Sequence, residues 1–107
     1  MEEKTITLSS SHDGSSQPVR YITAGGRNRP LLVALHTWSF DYTQDTGGEY
    51  FSRASAYDWN CVFPNFRGPN RNPAACGSPA ALADICDAVN WASAHLPVDH
   101  RRVFIAG

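Results

Sequence analysis

Arg29-Pro30-Leu31-Leu32-Val33-Ala34-Leu35-His36-Thr37-Trp38-Ser39 is the stretch on which the fold turns. Residues 31–35 are an unbroken run of five apolar side chains, preceded by a proline and followed at once by a polar and aromatic cluster. A short apolar run bounded by turn signals reads as a strand buried on both faces. Strands of that kind belong to parallel sheets with helices on each side. Ligands bind such sheets outside the carboxyl ends of the strands. His36, Thr37 and Trp38 stand at that end, so the chemistry is to be sought there.

Upstream, Lys4-Thr5-Ile6-Thr7-Leu8 alternates polar and apolar residues and predicts a strand exposed on one face. Residues 9–17 carry serines, Asp13 and Gly14, which is turn chemistry. Residues 18–23 alternate again, with Val19, Tyr21 and at its limit Thr23 on one side. The two segments predict an antiparallel hairpin with a long loop.

Downstream, Tyr50, Phe51, Ala54 and Tyr57 have a rough helical spacing and predict a helix over 49–57. Cys61-Val62-Phe63 is a second buried strand, stopped by Pro64. A loop of about 14 residues then runs over 65–78, a length that is usually functional or disordered. Ser78 suits a helix N-cap and Pro79 the first helical position. Leu82, Ile85, Cys86, Val89, Ala92 and Leu96 then make one helical face. Asp84 and Asp87 lie off that stripe and read as surface groups that complement the helix dipole. Pro97 ends the helix, residues 98–102 are a polar connection, and Val103-Phe104-Ile105-Ala106 is a third buried strand.

The order is hairpin, strand, helix, strand, helix, strand, which implies an α/β fold with parallel strands and right-handed crossovers. Gly107 comes directly after the last strand. Residues 1–107 therefore read as the N-terminal fragment of a single, larger α/β domain.

Composition narrows the function. The chain is 42% apolar and 18% charged with a net charge of −1, so no basic footprint points to nucleic acid. No apolar run reaches the length of a membrane span. Met1-Glu2-Glu3-Lys4 does not open a signal peptide, and a cytoplasmic location is expected. Cys61, Cys76 and Cys86 are an odd number without a CxxC spacing, so neither a metal site nor a cofactor is expected. Reduced thiols fit a cytosolic chain, with a Cys76–Cys86 disulfide as the alternative.

Three segments together resemble the α/β-hydrolase fold, nearest to the prolyl oligopeptidase-like serine hydrolases and related esterases. Leu35-His36-Thr37-Trp38 is similar to the Leu-His-Gly-Gly segment after that family's third strand. Asn65-Phe66-Arg67-Gly68 resembles its Asn-Tyr-Arg-Gly segment after the fourth strand. Residues 98–107 resemble the run into the nucleophile elbow, with Gly107 as the first Gly of Gly-x-Ser-x-Gly. Thr37 departs from the pattern, standing where the family usually has Gly.

The resemblance implies the rest. The strand over 61–63 should lie between the hairpin and the strand over 31–35, with 103–106 on the far side. The nucleophilic Ser and its Asp and His partners come in that order past the elbow's first Gly, hence beyond Gly107. The chain then contributes one N–H of an oxyanion hole, from Trp38 as first choice or Thr37 as second. The Trp38 indole would wall the acyl pocket, or else pack under the sheet end. His36 and Arg67 are the candidate substrate contacts; the competing readings make His36 a pin for loop backbone and Arg67 a tie to loop carbonyls. The expected substrate is a small ester or peptide, with a small esterase favoured.

Two other functions compete. A dinucleotide-binding fold needs a Gly-rich turn after its first strand, and no Gly follows Leu35 until Gly47. A non-catalytic binding or scaffold domain would differ only in the residues past Gly107. The edge at Val103-Phe104-Ile105-Ala106 is also an expected route to self-association.

Overall fold

A computed structural model describes residues 2–69 and 71–107. Met1 and Asn70, the latter inside the loop predicted over 65–78, lie outside the described residues. The elements are β1 (Lys4–Ser9), β2 (Ser16–Ile22), β3 (Arg29–Ala34), α1 (Thr46–Ala56), β4 (Asn60–Pro64), α2 (Pro79–His95) and β5 (Val98–Ala106). The strands form one mixed sheet in the order β1-β2-β4-β3-β5. β1 and β2 are the antiparallel hairpin, and β2 lies antiparallel to β4. β4, β3 and β5 run parallel. This is the order expected from the resemblance.

β3 is covered on both faces, as its apolar run implied. Leu31 and Val33 face α2, in a core with Val19, Val62, Ala88 and Ala92. Ala34 faces α1, in a second core with Ile22, Phe51, Ala54, Cys61 and Phe63. Phe51 and Phe63 are fully buried, and each such side chain contributes about 1.5–3 kcal/mol. At the amino end of the parallel strands, buried Asn60 accepts from Ala24 N–H and donates to the carbonyls of Arg29, Pro30 and Pro97. One carboxamide thus ties three segments together.

Three expectations need correction. α1 starts at Thr46 rather than near Glu49, so Gly47 and Gly48 lie in its first turn. A Cβ on Gly47 would come 2.5 Å from Arg20 Nη1 and 3.1 Å from the Phe63 ring. Glycine is there because the helix closes onto those groups, not to break it.

β5 starts at Val98, so the polar segment 98–102 belongs to the strand, and at the edge of the sheet it is not the buried strand predicted over 103–106, since Phe104 and Ile105 are exposed. Its pairing with β3 shifts register between Arg29 and Leu31. Asp99 stabilises the irregularity by accepting Arg101 N–H at 3.0 Å and Arg102 Nε at 2.9 Å. Those donors hold its carboxyl down at about 2.

The buried face of α2 is rotated from the predicted stripe. Ala81, Asp84, Ala88 and Ala92 are buried, whereas Leu82 and Cys86 are exposed. Ile85, Val89 and Leu96 pack along the flank. Small alanines let the helix axis approach the sheet, and the larger side chains splay to either side. The predicted cap holds: Ser78 Oγ accepts Ala81 N–H at 3.1 Å, with Pro79 next. All three cysteines are thiols, so no Cys76–Cys86 disulfide forms.

Candidate active site

The carboxyl ends of β3, β4 and β5 open into one cleft of about 260 Å³. Its walls are Leu35 to Trp38 after β3, Phe66 and Gly68 after β4, Ala75 and Gly77 before α2, and Gly107 after β5. Leu35 N–H donates to Ala106 O at 2.8 Å, which carries the parallel pairing to the rim. A Cβ on Gly107 would lie 2.8 Å from Leu35 Cβ. The segment holding Trp38 and the end of β5 therefore meet within the reach of one small ligand.

The Trp38 side chain is 72% exposed, so it is not packed beneath the sheet. It lines the cleft. Thr37 N–H is already taken: it donates to Gln44 Oε1 at 2.8 Å. Gln44 Nε2 in turn donates to Thr37 Oγ1 at 2.8 Å. Among the described residues, no hydrogen bond takes up Trp38 N–H. Arg20, reaching over from β2, donates through Nη1 to Tyr42 O at 2.8 Å and Gln44 O at 3.0 Å. Its guanidinium lies over the Phe51 and Phe63 rings.

His36 is buried between the two loops. Nε2 lies 2.7 Å from Asn65 O and Nδ1 3.0 Å from Thr37 O. The ring stacks on Phe66 with 4.1 Å between centroids. Both ring nitrogens face backbone carbonyls, one from each loop, and whichever carries the proton donates to its own.

Arg67 points away from the cleft into a polar cluster. Nε meets Asp84 Oδ2 at 2.6 Å, Nη1 meets Asp13 Oδ2 at 2.7 Å, and Nη2 meets Ser10 Oγ at 2.9 Å. Ser10 Oγ–H donates to Asp84 Oδ1 at 2.6 Å. The tie is to carboxylates and a hydroxyl, not to the loop carbonyls weighed from the sequence. Every guanidinium nitrogen is engaged in this cluster. Asp84, expected at the surface, is buried as the partner of this cation. Asp87 also departs from a purely helical role, since Oδ2 accepts Ser11 N–H at 2.8 Å. The Arg67 guanidinium, with help from Ser15, holds the Asp13 carboxyl far below the usual range.

The cluster holds a strained turn. Phe66 and Arg67 have φ of 30° and 79°, followed by Gly68 at 72°. Positive φ costs a bulky residue of order 1–3 kcal/mol and persists only where surroundings enforce it. Here it sets Phe66 against His36 at the cleft wall. Gln44, Arg20, Ser10 and Asp13 were not found from the sequence. Their partners lie in other segments, and no local spacing marks them.

No family model and no curated protein matches the chain. Solved structures do. The esterase Est22 is 24% identical with a TM-score of 0.68, over 99% of this chain and 34% of Est22. S-formylglutathione hydrolase FrmB from Staphylococcus aureus is 19% identical with a TM-score of 0.74, over 99% and 46% of the two chains. A protein of unknown function from Agrobacterium tumefaciens, provisionally classed as an α/β hydrolase, is 15% identical with a TM-score of 0.76, over 97% and 48%. The chain thus spans about a third to a half of the length of these proteins. Among the described residues no helix is long and apolar enough to cross a membrane. Strand order, crossovers and structural neighbours agree: the chain carries the α/β-hydrolase fold.

Proposed function

We propose that this chain supplies the N-terminal part of a serine hydrolase that cleaves small carboxylic esters by acyl transfer. The nucleophile would be a Ser two positions beyond Gly107, presented on the elbow that begins there. The observation that carries the reading is the meeting of Trp38 and Gly107 in one cleft at the carboxyl edge of the parallel strands. When such a Ser attacks an ester carbonyl, the oxygen becomes an oxyanion. Backbone N–H groups aimed at it stabilise the transition state, and loss of one costs about 3–4 kcal/mol. In this fold one donor follows the nucleophile and the other comes from the loop after the third strand. Trp38 N–H is the donor that loop supplies here. The exposed Trp38 indole and Phe66 give the cleft an apolar acyl-binding wall.

The test has two arms. The 107-residue chain should not hydrolyse p-nitrophenyl acetate above the background of its His and Cys side chains. The coding sequence after Gly107 should read x-Ser-x-Gly, and the product that includes it should be labelled by a fluorophosphonate. Hydrolysis by the 107-residue chain that survives replacement of every His and Cys sinks the proposal, as does a continuation without that Ser.

A further inference from the structure

Gln44 stands nine residues after Leu35, in the loop that follows β3. We propose that Gln44 is a positioning residue: its carboxamide takes the Thr37 N–H out of service and so presents Trp38 N–H to the cleft. The inference rests on the hydrolase reading above, which it deepens.

The geometry is a two-point clasp. Oε1 accepts Thr37 N–H and Nε2 donates to Thr37 Oγ1, both at 2.8 Å. A carboxamide suits this because it holds an acceptor and a donor side by side. A carboxylate keeps only the acceptor, and an alanine keeps neither. The clasp closes over a built loop, not a slack one. Phe40 N–H donates to Thr37 O at 3.2 Å, and Gln44 N–H to Asp41 O at 3.1 Å. Asp41 Oδ1 accepts both Thr43 N–H and Thr43 Oγ–H.

Arg20 fixes the far end. It holds the carbonyls of Tyr42 and Gln44, so the Gln44 backbone is set before its side chain reaches across to Thr37. Without the clasp, Thr37 N–H is free to turn to the cleft and compete with Trp38 N–H, whose peptide is otherwise held only through Thr37 O, by Phe40 N–H and His36 Nδ1. A donor must sit about 2.7–3.1 Å from the developing oxyanion to act, so a small rotation of this peptide matters.

The test reads the clasp and the chemistry separately. In the 15N-labelled product that continues past Gly107, Thr37 N–H should exchange with solvent at least tenfold more slowly than Trp38 N–H. Gln44→Ala should raise the Thr37 rate by tenfold or more, while Gln44→Glu, which keeps the acceptor, should preserve most of the protection. In the product that carries the nucleophile, Gln44→Ala should lower kcat by tenfold or more with KM little changed, and Gln44→Glu should retain more of kcat. An unprotected Thr37 amide, or protection that survives Gln44→Ala, overturns the clasp. Loss of protection with unchanged kcat overturns its role in positioning. A wild-type product that takes no fluorophosphonate label removes the hydrolase reading and the oxyanion role with it, while exchange still decides the clasp.

Discussion

The loop after β3 and the loop after β4 wall the same cleft and are fastened in opposite ways. On the first, Arg20, paired from behind with Glu3 at 2.6 Å, meets two carbonyl oxygens and Gln44 clasps Thr37, so the loop itself offers only neutral dipoles. On the second, Arg67 meets two carboxylates and a hydroxyl. The first loop is held in ordinary backbone; the second is held with two successive non-glycine residues at positive φ. The difference teaches where charge is needed. Neutral partners suffice for a loop held in ordinary backbone. Keeping a bulky aromatic in a strained turn calls for stronger, charge-assisted bonds.

The largest expected effect comes from cutting the charged tie. Arg67→Met leaves Asp84 buried without its cation, which should cost about 3–5 kcal/mol in a urea melt. A loss below about 1 kcal/mol, the range of an exposed ion pair, would show that Asp84 finds water and that the two fastenings are alike. Next, Gly47→Ala drives a methyl against Arg20 and Phe63. Overpacking of that kind should cost about 1–3 kcal/mol, and it should also loosen the β3 loop that Arg20 holds. Thr37 exchange in that variant sharpens the comparison: faster exchange ties the loop to Arg20, and unchanged exchange separates the two.

A smaller loss is expected at the far end of the β4 loop. Ser78→Ala removes the cap on α2, at about 1 kcal/mol in the same melt; an unchanged midpoint would show that the first turn of α2 is held by packing alone. The smallest is a pH effect confined to the charged side. Arg67 depresses the folded Asp13 pKa, so its stabilisation is complete above an unfolded value of about 4 and fades as pH falls towards the folded value. Asp13→Asn should therefore be less stable than the wild type at neutral pH, with the gap narrowing below that point. An equal gap in neutral and acid solution would show that Asp13 does not carry the tie.

The parallel frame was legible in the sequence because burial on two faces leaves an unbroken apolar run, as at Leu31 to Val33 and at Cys61 to Phe63. The α2 cap was legible because Ser78 and Pro79 act within one turn. The buried face of α2 was not. A reading that weights large apolar residues chooses Leu82 and Cys86, which are exposed, and passes over Ala81, Ala88 and Asp84, which are buried, while Ile85, Val89 and Leu96 pack at the flank. Asp84 is admitted by Arg67, 17 residues earlier in the chain, and by Ser10, 74 residues earlier. Such a partnership exists only once the fold has formed. Gln44 was hidden for the same reason at shorter range: a polar residue in a polar loop gives no periodic signal. The segment 98–102 misled because a strand with a register shift satisfies its own backbone through Asp99 rather than by alternation.

Cys61 lies in β4 at the centre of the α1-facing core, and burial pushes its thiol up to about 12. Since the thiolate is the reactive species, an alkylating agent at neutral pH finds nothing to attack there while the sheet is closed. Cys76 and Cys86 are at the surface and meet the reagent directly. Labelling should then run in two phases. The slow one would measure how often the central strands part, and the molecule would carry its own clock for opening without any added probe.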